Sequence, residues 1–80
     1  MSRKPKSEEA SIRNRIEHFR TEAGLSRQDL ANAVGVHYQT IGYIERGEYS
    51  PSLVLALKIS QQLQQSVDDL FSLEETEDGQ

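Results

Sequence analysis

Apolar residues return at helical intervals along most of the 80-residue chain. Ile12, Ile16, Phe19 and Ala23 follow at steps of four, three and four, which predicts a first helix from Ser11, with Gly24 just past its end. Ser26 then precedes "RQDLANAV". A Ser N-cap with an acid, Asp29, three residues on has the form of a capping box with Asp in place of Glu, and Leu30, Ala31 and Val34 supply the buried face. Gly35 ends this second helix. A third runs from His37 or Tyr38 to Arg46 and stops at Gly47, after which "EYSPS" is a turn. Pro51 and Ser52 are placed to start a fourth helix, "LVLALKISQQL", with Leu53, Ala56, Leu57, Ser60 and Leu63 as its expected inner stripe. Ser66 to Asp69 opens a short fifth helix that Leu70 and Phe71 dock. No strand pattern of convincing length and no repeat interrupts this series, so the predicted class is all-α, a compact domain of five short helices. Its expected limits are residues 11–73, with a flexible polar arm at 1–10 and an acidic tail at 74–80.

The third helix raises the question of chemistry. With about 100° between successive residues and the core direction set between Ile41 and Ile44, Gln39, Tyr43 and Arg46 share the opposite side. Gly42 flanks that outer face, and His37 and Tyr38 stand at the N-terminal turn. An amide, phenols, a guanidinium and an imidazole suit the edges of DNA bases: Gln pairs with adenine and Arg with guanine through two parallel bonds, and one α-helix fits the major groove. An ordinary solvated amphipathic helix has the same spacing, and spacing alone leaves both readings open.

Context separates them. Two helices of similar length joined through Gly35 form a helix-turn-helix, with Gly35 free to adopt positive φ in the tight turn. Val36 is placed to plug the gap between the helices, and small Ala31 lets them cross closely. The stretch "LSRQDLANAVGVHYQTIGYIERGEYSPSLVLALKISQQLQQSVDDLF", residues 25–71, resembles the phage repressor and Cro-like helix-turn-helix family, also called Xre. The marks are Leu25-Ser26, Gln28, Leu30-Ala31, Val34-Gly35-Val36, Gln39-Thr40-Ile41, Ile44-Glu45-Arg46-Gly47, Pro51-Ser52 and Asp68-Asp69-Leu70. With the first helix included, the resemblance spans residues 12–71.

The resemblance implies a lambda-repressor-like, sequence-specific DNA-binding domain, and its short form resembles stand-alone repressors that act as homodimers on palindromic operators. It also implies roles. His37, Tyr38, Gln39 and Tyr43 would face bases, and Arg27, Gln28, Thr40, Arg46, Tyr49 and Ser52 would hold the DNA backbone. Arg20 would pair with Glu45 and brace the third helix to the first, where an exposed Glu45 is the alternative. Three positions depart from the family's habit: His37-Tyr38 replaces smaller or more flexible polar pairs, Gly42 replaces a larger residue, and Gln64 stands where Gly usually caps the fourth helix.

Charge and composition narrow the alternatives. The net charge of -4 is unfavourable for a nucleic-acid partner as a total, but six of the thirteen acids lie after residue 65, leaving seven against nine bases before it, a local +2. There is no cysteine, and the longest apolar run, "LVLAL", is far short of the ~20 residues of a membrane span. These features, with no export signal at the N-terminus, predict a cytoplasmic protein without a membrane partner. Two histidines without a base or metal constellation, and no glycine-rich phosphate loop, speak against an enzyme. No cofactor, metal or small-molecule substrate is expected; the partners expected are double-stranded DNA and a second copy of the chain. Leu70, Phe71 and Leu73 are candidates for the dimer surface, although burial within one monomer accounts equally for the first two. Arg3, Lys4 and Lys6 belong either to an unstructured tail or to an arm that touches DNA. The competing function is a protein-interaction module of antitoxin or coactivator-bridge type, with the acidic tail as the binding segment.

Overall fold

The computed structural model describes residues 12–73; the expectations for the N-terminal arm and the acidic tail lie outside them. The order of elements is β1 (Ile12–Asn14), α1 (Ile16–Glu22), α2 (Arg27–Val34), α3 (Tyr38–Glu45), α4 (Leu53–Leu63), α5 (Val67–Leu70) and β2 (Phe71–Leu73). The five helices match the expected series. The all-α assignment is approximate, because β1 and β2 pair antiparallel, with Ile12 opposite Leu73, Arg13 opposite Ser72 and Asn14 opposite Phe71.

This pair corrects the start of the first helix. The four-residue step from Ile12 to Ile16 looks helical, yet Ile12 lies in a strand whose partner is some sixty residues away. Asn14 turns the chain between the two conformations: its Oδ1 accepts a hydrogen bond from the Ile16 N–H at 3.1 Å. The Arg15 N–H donates to the Leu70 carbonyl at 2.8 Å, tying the entry of α1 to the end of α5. Ala23, expected on the inner stripe of this helix, is exposed at its C-cap.

Serine caps set the starts of three helices. Ser26, Ser52 and Ser66 each accept a hydrogen bond from the backbone N–H three residues on. At Ser26 the box closes both ways, because the Asp29 carboxylate accepts the Ser26 N–H at 2.9 Å. Gly35 ends α2 at φ 82°, a left-handed geometry that a side chain would strain, and lets both its own N–H and that of Val36 reach the Ala31 carbonyl. Gln64 ends α4 at φ 56° without being a glycine.

The core is built from Ile16, Leu30, Ala31, Val34, Ile41, Ile44, Ile59, Leu63 and Leu70, with Phe19, Leu25, Val36, Leu55 and Phe71 packed around it. In α4 the inner stripe is Ala56, Ile59 and Leu63; Leu53 is 70% exposed and Leu57 47%, contrary to expectation. "LVLAL" is apolar on every side, so its own sequence does not choose between faces, and the packing of α4 against α2 and α5 does. Leu53, Val54 and Leu57 thereby form an apolar outer face. Leu70 is buried inside the monomer, which removes it from the candidate dimer surface, and Leu73 is exposed. No described helix is long and apolar enough to cross a membrane.

Candidate nucleic-acid interface

The third helix sits on the core by Ile41 and Ile44, both essentially without exposed surface. Its start is set by His37, whose Nδ1 accepts the Gln39 N–H at 3.2 Å. An imidazole protonated on both nitrogens has no acceptor, so this cap exists only with the neutral ring. The His37 ring stacks on Tyr38, with centroids 4.9 Å apart and planes at 28°, which fixes two rings at the mouth of the helix. Gln39 and Tyr43 face outward, each exposed.

Arg27, Tyr38, Gln39, Gly42, Tyr43 and Arg46 line one open cleft of about 230 Å³. Gly42, which flanks the outer face, is buried, and the Arg46 side chain lies over it. A Cβ at position 42 would stand 3.2 Å from Arg46 Nη1. The same guanidinium lies 5.2 Å from the centre of the Tyr43 ring, in cation–π range. Its Nε is 3.3 Å from Glu48 Oε1.

Beneath this surface lies a charged brace. The Glu45 side chain is 2% exposed, and Arg20 donates to it from Nε at 2.8 Å and from Nη2 at 3.4 Å. Arg20 also donates to the Leu25 carbonyl at 2.9 Å, so α1, the α1–α2 turn and α3 meet at one guanidinium. Arg27 supplies a second cation, with Nε 2.8 Å from Glu45 Oε1. The hydrogen bond to Glu45, reinforced by its charge, raises the Arg27 pKa above its ordinary value. One edge of Arg27 is thus engaged within the protein.

The remaining candidates are spread around the cleft. Gln28 is exposed near the start of α2, and its amide donates to Asn32 one turn on at 2.9 Å. Thr40 is half-buried, Tyr49 is exposed in the loop after α3, and the Ser52 hydroxyl oxygen caps α4. The cleft therefore gathers Arg27, Tyr38, Gln39, Tyr43 and Arg46, while Gln28, His37, Thr40, Tyr49 and Ser52 lie outside its lining. Asn14 was not singled out from the sequence. Its amide donates to the Ile44 carbonyl at 2.8 Å, holding the C-terminal end of α3, and nothing local to position 14 signals a partner thirty residues away. No group of three or more potential metal ligands occurs among the described residues.

A helix-turn-helix family model matches residues 16–70. The chain is 41% identical over 66 residues to an uncharacterized HTH-type transcriptional regulator of Archaeoglobus fulgidus, covering 82% of this chain and 94% of that one. It is 42% identical over 64 residues to the uncharacterized HTH-type transcriptional regulator YgzD of Bacillus subtilis, covering 80% and 97%. Among solved structures it resembles the restriction-modification controller protein C.AhdI from Aeromonas hydrophila, with TM-score 0.65 and 34% identity over 69% of this chain and 83% of that one. A putative DNA-binding protein from Bacteroides fragilis shares the fold, with TM-score 0.70 and 24% identity over 76% and 98%. On the family model and these relatives together, the chain belongs to the helix-turn-helix family of Cro/C1 (Xre) type, whose members are DNA-binding transcriptional regulators and not enzymes.

Proposed function

We propose that the protein is a repressor that occupies a palindromic operator as a homodimer, with residues 11–73 as the binding unit. The observation that carries this reading is the outer edge of α3. It is rich in hydrogen-bonding groups, with Gln39 and Tyr43 exposed, on a helix whose other edge is locked into the core. Gln39, Tyr38, Tyr43 and His37 reach base edges in the major groove, with Gln39 suited to adenine and the rings to thymine methyls. Gln28, Thr40, Tyr49, Ser52 and the free edge of Arg27 hold phosphates and set the register. In a two-fold dimer the recognition helices lie about 34 Å apart, one turn of duplex.

The second copy covers the outer face of α4. Leu53, Val54 and Leu57 are adjacent on one helix and exposed, and they directly follow the loop that carries Tyr49 and Ser52. A dimer joined there places its seam beside the DNA-facing loop. The competing interaction-module reading assigns partner binding to the acidic tail, which lies outside the described residues.

Selection of bound duplexes from a random pool tests the proposal. The expected product is a two-fold motif with half-sites one helical turn apart. A pool that yields no sequence bound about tenfold or more above a scrambled duplex would refute the operator-binding reading.

A further inference from the structure

We infer that Arg46 reads a guanine in the operator half-site instead of gripping the DNA backbone, and that Gly42 is the berth that makes this possible. The inference rests on the operator-binding reading above and adds a base and a reader to it. Arg46 is the C-cap of α3, a place from which a side chain extending onward would meet phosphates. This side chain runs the other way. Its guanidinium is carried back one turn along the helix, lies over Gly42 and flanks Tyr43, in the cleft that Tyr38 and Gln39 also line. Gln39, Tyr43 and Arg46 therefore present their polar ends along one strip of the groove-facing surface.

Two further features favour a base over a phosphate. The Nε atom lies 3.3 Å from the Glu48 carboxylate in an exposed ion pair, while Nη1 lies over Gly42 beside the cleft, which favours the Nη groups as the donors toward a ligand there. Two parallel N–H groups match the O6 and N7 acceptors of guanine. A phosphate approaching the same guanidinium would meet the negative charge of Glu48, whereas the guanine edge is neutral. The Tyr43 ring, in cation–π range, restrains the guanidinium, so that less rotamer freedom is lost on binding. A side chain at position 42 obliges the guanidinium to shift: a single added carbon stands 3.2 Å from Nη1, tighter than ordinary contact, and a larger one would displace it further.

The test measures binding of the full chain to its selected duplex and to duplexes in which each guanine in turn is replaced by adenine, at several salt concentrations. In the wild type one guanine per half-site should matter by about tenfold or more, the range of a bidentate contact. Arg46→Gln should bring that ratio close to one while leaving the preferences at other positions in place. Gly42→Ala keeps the charge, should melt no lower than the wild type because Ala is the better helix former, and should lower the same ratio. Should Arg46→Gln fail to fold, Gly42→Ala carries the test alone. Equal weakening of Arg46→Gln on every duplex, with the guanine preference intact and the salt slope shallower by about 0.9, overturns the inference in favour of a backbone contact. An unchanged ratio in Gly42→Ala overturns the role of the berth. A wild-type chain that selects no sequence overturns the operator-binding reading itself and this inference with it.

Discussion

Glu45 shows how one residue joins stability to recognition. Its carboxylate is enclosed and holds two guanidinium groups, one buried with it and one that lines the cleft. Glu45→Gln would leave Arg20 buried without a countercharge and should lower unfolding stability by about 3 kcal/mol or more, read from the urea midpoint at constant m. Arg27→Gln should cost far less, because its side chain is 43% exposed and water takes up the loss. Equal effects of the two would contradict this account of the brace. Asp29 gives a separate, pH-dependent expectation. Hydrogen bonds from the Ser26 backbone N–H, and then with its side chain, hold the Asp29 carboxyl below its ordinary 3.8. The folded value is thus lower than the unfolded one, so the stabilisation is fully present above that ordinary value and drains away as pH falls through the folded one. Melting temperature followed between about pH 5 and 2 should therefore fall less steeply in Asp29→Asn than in the wild type. The sequence made both residues visible for different reasons. Asp29 belongs to a local Ser-x-x-acid signal, while the Arg20 partner of Glu45 came through family resemblance, and the second partner, Arg27, was expected to serve only the DNA. Gly42 was visible as an oddity, a glycine inside a helix, but its reason is a side chain four residues on.

At the scale of elements, helices with a capped start and one apolar stripe were legible, and the rest were not. The bounds of α2 and α5 follow from their serines, and Gly35 marks the turn by a conformation that other residues avoid. The sequence misleads where the deciding contact is distant. The β1 sequence mimics a helix because its partner strand closes the far end of the domain, and the inner face of α4 is ambiguous in sequence because apolar residues surround its first turns. Gln64 stands at the end of α4 where the family usually has glycine, and it adopts the left-handed geometry, the one non-glycine with positive φ among the described residues. A Cβ in that region costs about 1 kcal/mol or more. Gln64→Gly should therefore raise unfolding stability by about 1 kcal/mol, less any gain in chain entropy of the unfolded state, and thermal melts would show it. A lower melting temperature would mean that the Gln64 side chain contributes more than its strained backbone takes away.

For the whole molecule, the proposed function asks the same small core to hold one face toward DNA and another toward a second copy. Ile41 and Ile44 face inward from α3, Ile59 and Leu63 from α4, and each helix leaves its other side available. Leu57→Glu on the outer face of α4 should leave the melting temperature of the monomer unchanged, since that side chain is already half in water. It should nevertheless shift sedimentation toward the monomer and weaken operator binding. A dimer that survives the change would move the seam elsewhere, with Leu73 next to be tried. The strand pair has a consequence of another kind. Since Ile12 lies opposite Leu73 in an antiparallel ladder, the two ends of the folded unit stand side by side. A short glycine-containing hairpin across that gap would turn residues 12–73 into a covalent circle, with the new turn joined at β1 and β2 and not at α3. By the loop-entropy relation for a cross-link, closing a ring of about sixty residues stabilises by about 4 kcal/mol. The circular chain should keep its operator and melt well above the linear one.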